Sequence, residues 1–274
     1  MACHRTKPAW KTRRPNKNGK FPILLRAPEP YRDPDYYIPC NRCLGCKADQ
    51  SREWAIRIEH EARMSELKCF LTLTYSDEYC PKKIDRKLLT IKMKELQRKL
   101  DCNLRYFAVG EYGDKTKRPH YHAVLFNTDL LGGAEQSRPG RYLHPAITGL
   151  WPYGQHEIQP YDEGTACYTA GYISKKLGDE DTFSIKSTRP PLGKTFALEY
   201  PGRLLSQGTT IVNGNELPIP KVYLQWLEQA GHNVEPTKEK IRAISREKHP
   251  ITDKEGRSKD INAQAKINRK GERI

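Results

Sequence analysis

From residue 47 onward, apolar positions recur with periods that separate helix from strand. In "KADQSREWAIRIEHEARMSE", Trp54, Ile58 and Ala62 return every four residues and share one face, so the stretch is expected to be helical. "KCFLTLTY" (68–75) is short, aromatic and β-branched, the composition of a strand. "RKLLTIKMKELQRKL" (86–100) turns Leu89, Met93, Leu96 and Leu100 inward and Lys92, Arg98 and Lys99 outward, an amphipathic helix. "LRYFAVGEYG" (104–113) and "HYHAVLF" (120–126) read as two strands joined by the turn-forming "GDKTKRP", an antiparallel hairpin. "QHEIQPY" (155–161) reads as a fourth strand and "GTACYTAGYISKKLG" (164–178) as a helix.

Strand, helix, three strands and helix predict an α+β domain with a central antiparallel sheet and flanking helices. Beyond it, "TTIVNGNEL" carries an Asn-Gly hairpin signal, and "IPKVYLQWLEQAG" reads as a short helix ended by Gly231. The first 38 residues are rich in Pro, Lys, Arg and Asn and read as an irregular basic arm. From Pro236 the chain is polar with weak helical periodicity, and disorder is expected there in isolation. The organisation expected is a basic arm with a cysteine cluster over 1–46, a catalytic domain over 47–232 and a basic, flexible tail over 233–274.

Charge sharpens this division. The chain of 274 residues has a formal net charge of +15. Residues 1–28 hold eight Lys/Arg and no acid, and residues 237–274 hold twelve bases against six acids, which leaves about one net charge for everything between. Basic ends on a nearly neutral body predict a polyanionic partner, most simply nucleic acid. Apolar runs such as "FLTLTY" fall far short of the roughly 20 residues of a membrane span, and no signal peptide is legible at the N-terminus. No membrane partner and a cytoplasmic location are expected.

Within "RPHYHAVLF", alternation along a strand points His120 and His122 to the same side. An H-x-H pair alone is more often hydrogen-bonded structure than a ligand set. A carboxylate on the adjoining strand changes that balance, and folding 104–113 back on 120–126 can bring Glu111 beside His120 if the register allows. Two imidazoles and one carboxylate leave coordination positions open, as a catalytic metal requires. Zinc, manganese and non-haem iron suit this set, and magnesium does when substrate phosphate completes the shell.

"YTAGYISKK" supplies chemistry that such a metal could serve. On a helix Tyr168 and Tyr172 lie one above the other, with Lys175 and Lys176 on or beside the same stripe. A tyrosine stripe is ordinarily core packing, but two lysines on it would need buried partners. A phenol with a reference pKa of about 10 becomes a nucleophile when a neighbouring cation or base helps its proton leave. Attack on a phosphodiester would give a phosphotyrosine ester and a free 3′-hydroxyl.

Cys40, Cys43 and Cys46 follow a C-x2-C-x2-C spacing in "PCNRCLGC", where Pro39, Asn41 and Gly45 favour tight turns. Structural zinc would need a fourth ligand, with Cys3 or His4 as candidates. An iron–sulfur cluster would want another nearby cysteine, and Gln50 stands where a ferredoxin-like run would place it. Eight cysteines, five of them scattered, do not read as a disulfide framework.

"FLTLTY", then "HYH" in "RPHYHAVLF", then "YTAGYISKK", in that order, resemble the three motifs of the HUH endonucleases that initiate rolling-circle replication, in their two-tyrosine branch. With "PCNRCLGC" before a Trp-containing helix and "STRPPLG" after the tyrosines, residues 38–230 are similar to replication initiators of small single-stranded DNA phages of the gokushovirus type. "STRPPLG" departs from the Arg-Pro-Gly form of that loop.

The resemblance implies Mg2+ or Mn2+ on His120, His122 and Glu111, and Tyr168 and Tyr172 as nucleophiles alternating between cleavage and rejoining. It also implies Lys175 and Lys176 as basic residues of the site, within a central antiparallel sheet with helices at its sides. The function expected is an origin-specific, metal-dependent DNA nickase and strand transferase acting in a host bacterial cell. No G-x-x-x-x-G-K-[ST] pattern is present, so unwinding would fall to host replication proteins including a helicase. The alternative is a non-catalytic, zinc-containing nucleic-acid-binding protein, and an iron-dependent oxygenase ranks behind both.

Overall fold

A computed structural model describes residues 3–17, 19, 21–30, 32–113, 116–128, 130–162, 164–165, 169–171, 182–246 and 253–271. It divides into two compact units, one made of residues 1–50 with 242–274 and the other of residues 51–241. The first unit contains three short strands, β1 (Lys7–Lys11), β2 (Ile23–Leu24) and β3 (Tyr36–Ile38). β1 is central and antiparallel to both neighbours, with Ala9 opposite Tyr36 and Trp10 opposite Leu24.

The expected irregular arm is thus a small sheet. Strands of two to five residues carry too few apolar positions to show a period, and polar bonds hold them instead. Asp35 accepts from the Lys11 backbone N–H at 2.7 Å and from Arg32 at 2.8 Å. The Trp10 indole donates to the Arg32 carbonyl at 3.0 Å. Helices over Glu235–Arg246 and Asp253–Gly271 occupy the segment for which disorder is expected in isolation. Asp260 on the second of these pairs with His4 and Arg5, a partnership no local pattern could reveal.

Helix α1 (Leu44–Arg63) leads into the second unit, whose frame is a seven-stranded sheet. Its members are β4 (Lys68–Thr74), β5 (Arg105–Tyr112), β6 (Pro119–Phe126), β7 (Glu135–Arg138), β8 (Arg141–Leu143), β9 (His156–Pro160) and β10 (Phe183–Lys186), in the spatial order β10-β5-β6-β4-β9-β8-β7. Every paired neighbour is antiparallel. The α+β expectation therefore holds, with β7, β8 and β10 added at the edges, where exposed or half-buried polar residues hide the alternation.

Alternation gives each strand two apolar faces, which is why both sides of the sheet are covered. On one side Leu71, Leu73, Tyr121, Ala123, Leu125 and Ile158 meet Leu89, Met93 and Leu96 of α2 (Arg86–Leu100). That helix starts where the Asp85 carboxylate accepts from the Lys87 and Leu88 backbone N–H groups at 2.7 and 3.0 Å. On the other side Phe70, Phe107, Val109, Val124 and Phe126 meet Ala55, Ile58 and Ala62 of α1, together with Ala170 and Leu192.

Residues 194–234 add helices and a third apolar cluster around Tyr223 and Leu227. They also include the expected hairpin, β11 (Thr209–Val212) and β12 (Asn215–Pro218), whose turn residues Asn213 and Gly214 adopt φ of 50° and 73°. Among the described residues no helix is long and apolar enough to cross a membrane.

Candidate metal centre and the tyrosine segment

The hairpin register decides the site. Glu111 of β5 stands directly opposite His120 of β6, and His122 stands between Val109 and Thr72. Glu111, His120 and His122 therefore share one face, at the end of the layer formed by Phe107, Val109 and Val124. Glu111 and His122 are buried and His120 is half-buried. The Nε2 atoms of both rings converge on one oxygen, Oε1 of Glu111, at 2.8 Å from His120 and 3.4 Å from His122.

Each ring is fixed from behind. His120 Nδ1 is 3.1 Å from the Arg118 carbonyl, which can only accept, so Nδ1 carries the proton. A neutral His120 then presents its lone pair at Nε2, directly towards a carboxylate oxygen. Two lone pairs at 2.8 Å need a proton or a cation between them. His122 Nδ1 is 3.0 Å from Thr72 Oγ1, a hydroxyl that can donate or accept, and the ring stacks on Phe70 at 5.3 Å.

Electrostatics favours an ionised acid beside unprotonated bases. Burial by itself pushes Glu111 up, but hydrogen bonds from His120 and His122 and their charge outweigh it and hold the carboxyl down at about 2. Burial pulls His122 below the ordinary imidazole value, against the opposing pull of Glu111. Ligands about 2.1 Å from a shared octahedral cation stand about 3 Å apart, close to the spacing here. One carboxylate and two imidazoles with a polar outer shell fit Mg2+ or Mn2+ as well as zinc.

Tyr168, Tyr172, Lys175 and Lys176 lie outside the described residues. Their described neighbours are firmly placed. Asp162 accepts from the Thr165 backbone N–H and hydroxyl, both at 2.8 Å, and the Thr169 hydroxyl donates to the Thr165 carbonyl at 2.7 Å. Thr169 and Ala170 are fully buried, Ala170 against the histidine side of the sheet, and the Ser51 hydroxyl donates to the Ala170 carbonyl at 2.6 Å.

The loop "STRPPLG" is pinned through its backbone. Arg105, buried and paired with Glu61, donates to the Pro190 carbonyl at 2.9 Å, while Glu61 accepts from the Gly193 N–H at 2.8 Å. Arg57 donates to the Leu192 carbonyl at 3.0 Å. Sequence reasoning overlooked Thr72 and the Arg118 carbonyl as supports for the histidines. Strand parity places Thr72 on the Phe70 side of "FLTLTY", but its pairing with His122 needs the β4–β6 register.

The cysteine cluster lies in the first unit. The sulfurs of Cys3, Cys40, Cys43 and Cys46 all lie within 4.8 Å of one another, so the N-terminal thiol joins the C-x2-C-x2-C run. The imidazole of His4, the other candidate, is 2.7 Å from the Asp260 carboxylate, and one of its ring nitrogens lies within 4.8 Å of the Cys43 sulfur. Among the described residues no disulfide is formed.

Comparison with known proteins identifies relatives. Residues 68–177, which run from β4 through the tyrosine segment, match the family model of the replication-associated protein ORF2. The chain is 33% identical over 219 residues to the replication-associated protein VP4 of Bdellovibrio phage phiMH2K, covering 71% of this chain and 68% of that protein. It is 29% identical over 217 residues to the replication-associated protein ORF2 of Spiroplasma virus 4, with 70% and 68% covered. A third relative, the replication-associated protein ORF4 of Chlamydia phage 1, is 26% identical over 215 residues, with 70% of this chain and 54% of the relative aligned. With its convergent Glu–His–His face inside the matched region, the chain belongs to the family of microvirus replication-associated proteins.

Proposed function

We propose that this protein initiates replication as an HUH-type nickase, cutting single-stranded or unwound DNA at an origin through a tyrosine and later rejoining the strand. The observation that carries the reading is the convergence of both imidazole Nε2 atoms on Glu111 Oε1, at 2.8 and 3.4 Å, each ring held from behind. A divalent cation bound there, Mg2+ or Mn2+, would polarise the scissile phosphate.

The protein's own residues account for the rest. Arg118 and Thr72 fix the two rings, so little reorganisation is needed as charge develops on the phosphate. The oxygen of Tyr168 or Tyr172 attacks phosphorus, its proton leaves, and the bond from phosphorus to the 3′ oxygen breaks. The 3′ oxygen departs as a hydroxyl, and the 5′ phosphate stays on the tyrosine as an ester. Lys175 or Lys176 stabilises the charge that builds on the transferring group. Because the ester conserves the phosphodiester, a later 3′-hydroxyl reverses the step and closes the strand, with the second tyrosine free for the next cleavage. The 3′ end left by cleavage serves as primer for host replication proteins, including a helicase.

Incubation with labelled origin oligonucleotide and Mg2+ or Mn2+ is expected to trap a covalent adduct, located by mass spectrometry on Tyr168 or Tyr172. A Tyr168→Phe/Tyr172→Phe variant that still nicks and still forms the adduct would remove these nucleophiles. Salt-sensitive binding without scission under any divalent metal would mark a non-catalytic binding protein instead.

A further inference from the structure

The first unit has an unusual core. Its buried apolar residues among positions 1–50 are Ala9, Trp10 and three of the cluster's cysteines, Cys3, Cys43 and Cys46. The unit's sequence holds twenty-one Lys/Arg against nine Asp/Glu, a net +12 out of the chain's +15. Such a segment repels itself and has little hydrophobic surface to offset the repulsion.

We propose that Cys3, Cys40, Cys43 and Cys46 hold a structural zinc ion, and that this centre, with Asp260, ties both basic ends of the chain into one unit. Four features support it. Two sulfur pairs, Cys40–Cys46 and Cys3–Cys43, are each 3.9 Å apart. A tetrahedron of sulfurs about 2.3 Å from zinc has edges of about 3.8 Å, whereas a disulfide would bring sulfurs to about 2.05 Å. Backbone N–H groups point at the sulfurs: His4 to Cys43 at 3.2 Å, Cys40 to Cys3 at 3.3 Å, Cys43 to Cys40 at 3.3 Å and Cys46 to Cys43 at 3.5 Å. Donors arranged in this way stabilise thiolates rather than thiols.

The four ligands come from both ends of the segment, so the metal closes the chain over the small sheet between them. Four thiolates on zinc also leave the centre with two negative charges inside a basic unit, which offsets part of its repulsion.

The C-terminal helix is coupled to this centre through His4, the residue next to Cys3. The His4 N–H is bound to the Cys43 sulfur, while its ring meets Asp260 at 2.7 Å and Arg5 meets the other oxygen of Asp260 at 2.8 Å. Losing the metal frees Cys3 and with it the residues that grip Asp260. The two ends would then separate.

The test uses the full chain carrying His120→Ala and His122→Ala, so that the histidine centre contributes no metal. Protein purified without chelator is expected to contain one zinc per chain, with an X-ray absorption spectrum of sulfur neighbours at about 2.3 Å. Iron, no metal, or nitrogen and oxygen neighbours would overturn the centre. Cys43→Ser should lower zinc content at least tenfold, whereas Cys80→Ser, at an exposed cysteine, should leave it intact. Stripping zinc with a chelator, or introducing Asp260→Ala with zinc retained, should each speed proteolysis within residues 242–274 at least tenfold. Unchanged cleavage in either case would overturn the tether. None of these readouts uses DNA, so their failure leaves the nickase proposal standing, and its failure leaves the zinc centre standing.

Discussion

Replacing Thr72 by valine isolates the support behind the metal centre. Valine keeps the branched shape suited to a strand and removes only the hydroxyl that lies 3.0 Å from His122 Nδ1. When Nε2 is engaged by a cation, Nδ1 must carry the proton and donate to Thr72. Without the hydroxyl a buried N–H loses its partner, at a cost of about 1–3 kcal/mol. In the metal-free protein Nδ1 can instead accept from Thr72, and losing that neutral bond costs only about 1 kcal/mol. The difference, ~1–2 kcal/mol, weakens metal binding by roughly tenfold, within the range typical for outer-shell partners.

Isothermal titration with Mn2+ measures it. Thr74→Val is the control, because Thr74 stands opposite His120 yet its hydroxyl donates to the Gln155 carbonyl at 3.2 Å, so the affinity should stay unchanged. The reasoning is refuted if Thr72→Val binds within twofold of the parent while His122→Ala abolishes binding, or if both threonine variants lose equally.

Three other expectations follow from the same geometry. His122→Ala removes a metal ligand and should slow origin cleavage at least 100-fold while oligonucleotide affinity in metal-free buffer stays within about threefold, since phosphate contacts carry most of that affinity; equal loss of both would show that the residue acts through folding. Arg105→Met breaks the buried pair with Glu61 and frees the Pro190 carbonyl, so urea denaturation should report a loss of about 3–5 kcal/mol, and a loss under 1 kcal/mol would contradict it. His60 is fully buried between the Tyr223 hydroxyl at 2.9 Å and Thr210 at 3.1 Å, and burial, aided by Arg63, pulls its pKa down to about 3. Its folded value lies below the unfolded one, so the unfolded chain takes up the proton first and stability falls as pH drops from the ordinary value of about 6.5 towards 3. Between pH 8 and pH 5 that loss is about 2 kcal/mol, and the stability advantage of the parent over His60→Gln should shrink by that amount in denaturation at the two pH values.

The sequence by itself settled the local elements of the larger unit. Helix α2 spans the expected residues 86–100, the strands holding "FLTLTY", "YFAVGE" and "HYHAVLF" are where alternation puts them, and the Asn-Gly signal sits in the β11–β12 turn. It also put His120 and His122 on one side of a strand, because side-chain direction is a covalent property of extended backbone with a period of two. The three-motif order was enough to indicate the replication family.

Tertiary structure decided which distant groups meet: the register that sets Glu111 against His120, Thr72 behind His122, Cys3 beside Cys40 across 37 positions, and Asp260 on His4 across 256. The small sheet of the basic arm was illegible because its strands lack an apolar rhythm, and bonds to distant residues hold it. Periodicity is written into a few neighbouring residues, whereas the choice of a remote partner depends on the free energy of packing the whole chain, to which no single stretch holds the key.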